Sequence, residues 1–416
     1  MGARPLEALA STGAGDGGAA MNARNLAWTA AALGVLVHGH RELMAGLRRR
    51  AAPPMRRFEP PSVTVIRPIR GLDVDARENV RALLDLDYPG EWEVLFVFDS
   101  EDDPAFLPTR DEVAARPTRA KRVELIVAGE PPAGMTGKLN AMQVGVACSR
   151  CQLLAFSDSD TRPSPEVLTA LVGALLEDGG TGATFAPIYA AADAPLAGDV
   201  GYGLLVNAWY GASVACTAAP DGALPFIMGQ LMVFRRQALE AIGGVGCAAG
   251  QFVDDMYLGR RLHEAGWKNR VVHAPLRVVT GQLELGAFLR IFRRWILFSE
   301  AGLPGSFARP HWVRGAVSWL SWGALATAVA RRAWGPALLS AAPIGFSVWS
   351  QLRLQRACHG PEVAPRHYWV PAVLPLLGAG VALSTRLSRE VDWRGRGYRL
   401  DAKARLGEAQ PARASV

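Results

Sequence analysis

The chain has 416 residues, enough for one large domain or two ordinary ones. Half of them are apolar, high for a chain that is soluble throughout, and the formal net charge is +7, with only four lysines among 45 basic residues. Five cysteines, with one isolated Cys148-x-x-Cys151, exclude a disulfide framework; no second pair or histidine cluster supports zinc, and the chain reads as reduced and cytosol-facing.

In chain order, residues 1–24 are rich in Gly and Ala and are expected to lack fixed structure. Residues 25–47 hold an apolar stretch, Leu26–His38, that with its flanks just spans a bilayer core of about 30 Å. Arg48–Arg50, Arg56 and Arg57 follow and favour a cytoplasmic side for the next segment. Residues 58–288 then change character. Ser62–Ile69, Glu93–Asp99, Arg122–Gly129 and Leu153–Asp160 are strand-like apolar runs, and helical patterns such as Asp75–Leu86 separate them. This alternation predicts a parallel α/β sheet covered on both faces. Ligands of such sheets bind beyond the carboxyl ends of the strands.

Acids collect at those ends. Asp99 closes the second strand, where a carboxylate can accept hydrogen bonds from a ribose or a uracil, or simply form a turn. Asp158 and Asp160 follow the fourth. Alternation along a strand would point both the same way, and two anions on one side favour a divalent cation; N-capping of the next helix is the plainer reading. Gly134–Gly145 is a Gly-flanked loop entering a helix. Its Lys138 offers a compact ammonium to a diphosphate, or is an ordinary surface lysine. Asp254 and Asp255 head an amphipathic helix whose Leu258 and Leu262 would face the core. They suit either the helix dipole or a general base. Residues 289–310 read as an amphipathic interfacial helix, in which Arg290, Arg293, Arg294 and Trp295 could meet a membrane surface or a diphosphate. Residues 311–386 contain three further apolar stretches decorated with tryptophans, as interface-seeking aromatics do, and residues 387–416 form a basic tail expected in the cytoplasm.

Taken together, these stretches resemble the ceramide glucosyltransferase family, a branch of the inverting GT-A glycosyltransferases. "RPIRGLD" (Arg67–Asp73), "FDSEDDPA" (Phe98–Ala105), "GKLNAM" (Gly137–Met142), the Asp158/Asp160 pair, "VDDMYLG" (Val253–Gly259) and "WRGRGYRL" (Trp393–Leu400) match its motifs in order. The family's (Q/R)-x-x-R-W motif is matched at Arg294 and Trp295, but Ile291 stands where the family has Gln or Arg.

The resemblance implies an α/β GT-A (Rossmann-like) catalytic domain with N- and C-terminal transmembrane helices. It implies transfer of a sugar, glucose first, from a UDP-sugar to a lipid hydroxyl, ceramide first, with inversion. Asp255 is then the base, and Asp158 and Asp160 hold Mg²⁺ or Mn²⁺. Asp99, Lys138, Asp254, Arg294 and Trp295 bind substrate. The partners are the donor, a ceramide-like acceptor and the bilayer of a bacterial inner membrane, with the catalytic domain cytoplasmic and no nucleic acid involved. A hopanoid or other lipid acceptor is the alternative within this class, and a processive polysaccharide synthase fits the R-W motif less well. Outside it stand a D-x-D-x-T phosphatase, for which Thr161 comes one residue too early, and a non-catalytic membrane scaffold.

Overall fold

The computed structural model describes residues 15–49, 58–274, 276–401 and 404–407. Helix α1 (Gly15–Arg48) comes first, so residues 15–24 are helical turns ahead of the expected crossing segment. Residues 1–14 and the cluster Arg50, Arg56 and Arg57 lie outside the described residues. The α/β region begins with β1 (Val63–Ile69), α2 (Ala76–Leu84), β2 (Trp92–Phe98), α3 (Phe106–Ala115), β3 (Arg122–Val127), α4 (Gly137–Cys148) and β4 (Leu153–Ser157). It continues through β5 (Thr161–Pro163), α5 (Val167–Leu176), β6 (Thr181–Phe185), β7 (Ile188–Ala191), α6 (Ala197–Gly203), a π-helical segment (Leu204–Gly211) and α7 (Ala212–Thr217). Then come β8 (Ala223–Leu224), β9 (Leu231–Arg235), α8 (Arg236–Ala241), α9 (Asp254–Glu264), β10 (Lys268–Val271) and β11 (Leu276–Val279). Helices α10 (Leu285–Gly302), α11 (Gly305–Ala330), α12 (Trp334–Ala357) and α13 (Trp369–Leu387) follow, and β12 (Glu390–Trp393) and β13 (Arg396–Arg399) pair as a hairpin.

The central sheet has eight strands in the order β3-β2-β1-β4-β9-β6-β10-β8. Every residue of β2 and β4 is buried, as expected of strands covered on both faces. The all-parallel expectation holds for β3, β2, β1 and β4. It fails at β9, which runs antiparallel to both β4 and β6. An apolar run of five residues reads the same in either direction, so its pattern carries no polarity. A second sheet has three strands in the order β5-β11-β7. None of the five cysteines is in a disulfide.

The apolar stretches outside the sheet fold as long helices. Among the described residues one segment, Pro365–Leu387, is long and apolar enough to cross a membrane. Arg309 and Arg314 lower the hydropathy of α11, and His38, His40, Arg41 and Glu42 that of α1. Yet α1 and the later helices pack together: Ala32, Leu36 and Val317 form a small buried cluster, and Thr29 Oγ1 donates to the Leu339 carbonyl at 3.1 Å. Trp319, Leu320, Trp334, Leu338, Leu383 and Leu387 leave large apolar surfaces exposed. The expected helix at 289–310 is in fact two, because Pro304 separates α10 from α11.

Candidate active site

Parallel register sets the first contact. Ile69 is paired with Phe98, so the next residues, Arg70 and Asp99, leave the sheet side by side. Arg70 Nη1 donates to Asp99 Oδ2. Arg396, from the hairpin, stands 3.2 Å from the same oxygen. Ile66 is paired with Phe156, which brings the end of β4 to the same edge.

β4 stops at Ser157, so strand alternation does not orient Asp158 and Asp160. A turn does. Thr161 donates to the Asp158 carbonyl through Oγ1 at 2.7 Å and through its N–H at 3.4 Å. Arg67, wholly buried, holds this turn from beneath. Its guanidinium donates to Ser157 Oγ at 2.7 Å, Thr161 Oγ1 at 3.1 Å, the Thr161 carbonyl at 3.2 Å and the Asn79 carbonyl at 2.7 Å.

Thr136 caps α4, its Oγ1 accepting from the Leu139 N–H at 3.1 Å. Lys138 therefore sits in the first turn, where the helix dipole disfavours a cation. Acids account for it: Nζ lies 2.6 Å from Asp158 Oδ1. Burial works against the ammonium, but Asp158, Asp254 and Asp255 together outweigh it and raise its pKa.

Asp254 and Asp255 open α9, with Leu258 and Leu262 buried beneath as expected. Asp255 Oδ2 accepts from the Gly229 N–H at 2.5 Å, and Oδ1 from the Met256 N–H at 2.8 Å. Burial, and then Asp254, push the Asp255 carboxyl up to about 7. Burial also raises Asp254, whose Oδ2 has no hydrogen-bond partner. Asp160 is pushed up to about 6 by burial, then by Asp158 and Asp73. Its Oδ1 is likewise buried without a partner.

The eight side chains to which the family resemblance gives a role line one cavity of about 290 Å³: Asp99, Lys138, Asp158, Asp160, Asp254, Asp255, Arg294 and Trp295. Arg294 is half-buried, desolvation lowers its pKa, and its Nε is buried without a hydrogen-bond partner. Trp295 stands edge-on to Tyr210, with centroids 4.7 Å apart. Tyr210 belongs to the π-helical segment, an irregularity frequent at functional sites. With Tyr202 and Phe298 these rings give part of the cavity an aromatic lining. The other arginines of α10 go elsewhere. Arg290 is exposed, while Arg293 donates to the carbonyls of Ser388 and Glu390. Ile291 packs against the core.

Asp158 and the orphaned oxygen of Asp160 fit Mg²⁺ or Mn²⁺, which take oxygen ligands and share them with substrate phosphates. Among the described residues no group of three or more His, Cys, Asp or Glu is arranged to hold a metal alone. Further ligands would therefore come from a bound diphosphate or water.

The sequence reading missed Arg394 and Arg396 as site residues and placed them in a tail. They line the cavity instead. The available signal was an Arg-Gly-Arg turn between two short β-like runs, a hairpin pattern.

The family model for glycosyl transferase family 21 matches residues 26–406. Ceramide glucosyltransferase 3 of Caenorhabditis elegans is 24% identical over 248 residues, which are 59% of this chain and 52% of that protein. Ceramide glucosyltransferase 1 of the same organism is 23% identical over 248 residues, 59% of this chain and 51% of that protein. The chain thus spans about half the length of the curated relatives it matches. Among solved structures, the mannosyltransferase PcManGT from Pyrobaculum calidifontis, in complex with GDP-Man and Mn²⁺, aligns over 87% of this chain and 98% of its own. Its identity is 17% and the TM-score 0.49.

Proposed function

This chain belongs to glycosyl transferase family 21, and from that premise we propose that it transfers glucose from UDP-glucose to the hydroxyl of ceramide, with inversion, at a membrane. The observation that carries the reading is the convergence of eight side chains, drawn from four separate stretches of the α/β region and from α10, on one cavity.

Asp99, at the end of β2, accepts hydrogen bonds from the nucleoside. Lys138 and Arg294 offer cations to the diphosphate. Mg²⁺ or Mn²⁺, held by Asp158 and Asp160, would offset the charge of the departing diphosphate. Trp295 and the neighbouring rings shelter the transferred sugar, and Asp254 keeps a negative potential beside Lys138. Asp255, as its carboxylate, takes the proton of the attacking hydroxyl. The acceptor oxygen bonds to the anomeric carbon as the carbon–diphosphate bond breaks, in a single displacement. Because the base must be ionised, transfer should rise as pH passes about 7.

A lipid acceptor is supported by the exposed apolar faces of α11, α12 and α13 and by the contact of α10 with α13. In this reading α1 and the later helices form the membrane part, with their tryptophans at its interfaces. The test uses membranes carrying the protein, supplied with Mg²⁺ or Mn²⁺, ceramide and UDP-glucose, UDP-galactose or UDP-N-acetylglucosamine. Mass spectrometry of extracted lipids should find a hexosylceramide that is absent with Asp255→Asn. Products that form only on a hopanoid or diacylglycerol would overturn the acceptor. Silence with every donor and lipid would overturn the activity.

A further inference from the structure

The hairpin β12–β13 lies more than 200 residues beyond the acids it covers. Its turn, Arg394-Gly395, has positive φ at both residues, 54° and 73°, as two-residue hairpin turns of the primed type require. Asn or Gly usually takes the first of these places. An arginine there is held in a sparsely populated backbone region, a cost that clusters at ligand clamps.

Its side chain reaches into the site. Arg394 Nη1 donates to Asp73 Oδ1 at 2.6 Å and to the Arg70 carbonyl at 3.0 Å, and Nη2 to Ser159 Oγ at 3.4 Å. Arg70 Nε answers to the Arg394 carbonyl at 2.9 Å. Ser159 lies between Asp158 and Asp160, so this guanidinium sits directly beside the pair suited to a metal and a diphosphate.

Arg396 is placed as tightly. It pairs with Asp99 and Glu130, and a Cβ on Gly137 would come within 2.4 Å of its Nη1. Gly137 thus leaves room for the Arg396 guanidinium at the start of α4. An apolar anchor fixes the hairpin: Trp393 and Tyr398 pack on Phe252, with ring centroids 5.7 and 5.3 Å away, just ahead of Asp254 and Asp255.

Charge gives the reason for the arrangement. The cavity lining holds five acids and five cations, and two of the cations come from the hairpin. Without them the acids of the lining would outnumber its cations by two, a poorer site for a diphosphate.

We propose that the β12–β13 hairpin is a phosphate clamp, in which Arg394 exchanges Asp73 for the diphosphate of the donor while Arg396 stays beside Asp99. The inference rests on the reading that the donor is a nucleoside diphosphate sugar. The planar fork of arginine suits such an exchange, since it binds carboxylate and phosphate in the same bidentate geometry.

The experiment is titration calorimetry of UDP and GDP into the full chain in detergent with Mg²⁺, with thermal midpoints measured beside it. Arg394→Ala should weaken UDP binding about 10- to 100-fold. Asp73→Asn, which frees Arg394, should leave UDP binding as tight or tighter. A strut role predicts the same sign for both variants, because each breaks the same ion pair; equal weakening by both overturns the clamp. Arg394→Lys keeps the charge without the fork. It should fall in between, and covers the case in which the alanine variant fails to fold. Wild-type binding with unchanged affinity in Arg394→Ala and Arg394→Lys refutes the clamp alone. A wild type that binds neither UDP nor GDP refutes the donor reading, and the clamp with it.

Discussion

Replacing Asp255 by asparagine should separate chemistry from binding and leave a mark on stability. The carboxyl is held up to about 7, against an ordinary value of 3.8, by burial and then by Asp254. A folded-state pKa above the unfolded one means that the native chain keeps its proton longer. Stability from this site is therefore fully present below about pH 4 and is lost as pH rises through about 7. At 1.36 kcal/mol per unit, a shift of roughly three units corresponds to at most about 4 kcal/mol over that window. Asparagine removes this dependence, but it keeps only one acceptor for two backbone donors, the N–H groups of Gly229 and Met256. Leaving one buried donor unmatched costs about 1–3 kcal/mol. The variant should thus be less stable than wild type at pH 5, and the gap should close or reverse at pH 8. Turnover should fall about 10²- to 10⁴-fold, the usual contribution of a general base, with UDP affinity unchanged. Denaturation midpoints at the two pH values, together with initial rates from pH 5.5 to 8.5, check this. Wild-type turnover in the variant, or the same stability gap at both pH values, would refute the base assignment and its electrostatic reasoning.

Three other outcomes follow from neighbouring contacts. Lys138→Met strands Asp158, Asp254 and Asp255 without their ammonium, so UDP affinity should drop about 10- to 100-fold in calorimetry. Lys138→Arg should not restore it, since the buried slot fits a compact charge. Arg67→Met removes four hydrogen bonds, three to Ser157 and Thr161 at the turn and one to the Asn79 carbonyl, and denaturant unfolding should show a loss of about 3–5 kcal/mol. Chelation with EDTA should abolish transfer, and added Mg²⁺ or Mn²⁺ should restore it; in Asp160→Asn restoration should need at least tenfold more metal, read also by Mn²⁺ paramagnetic resonance.

Much of the candidate site was legible because its acids follow directly on apolar strand runs, where ligands of such sheets bind. Asp99, Asp158 and Asp160 follow strands whose apolar runs were plain in the sequence. Lys138 drew attention as a lysine in an arginine-rich chain. The reason for expecting Asp158 and Asp160 to face one way was nevertheless wrong, since a turn orients them and β4 ends before they begin. Arg67 was invisible as a site element: an arginine inside a strand gives no sign in sequence that it is buried beneath a loop over 90 residues away. Pro304 marked the break between α10 and α11, yet the expected helix at 289–310 ran across it.

The sequence by itself determined the local elements and the residue types available for chemistry, because periodicity, strand-end acids and a lysine in a loop entering a helix are properties of neighbouring residues. Tertiary structure decided what depends on distant segments meeting. It set the reversed direction of β9, which no apolar run encodes, and the packing of α1 with α11 and α12. It brought Arg394 and Arg396 onto acids that lie more than 200 residues earlier, where their charge balances the cavity. The pKa values of Asp160 and Asp255 belong to the same level, since desolvation exists only once the fold has closed around them.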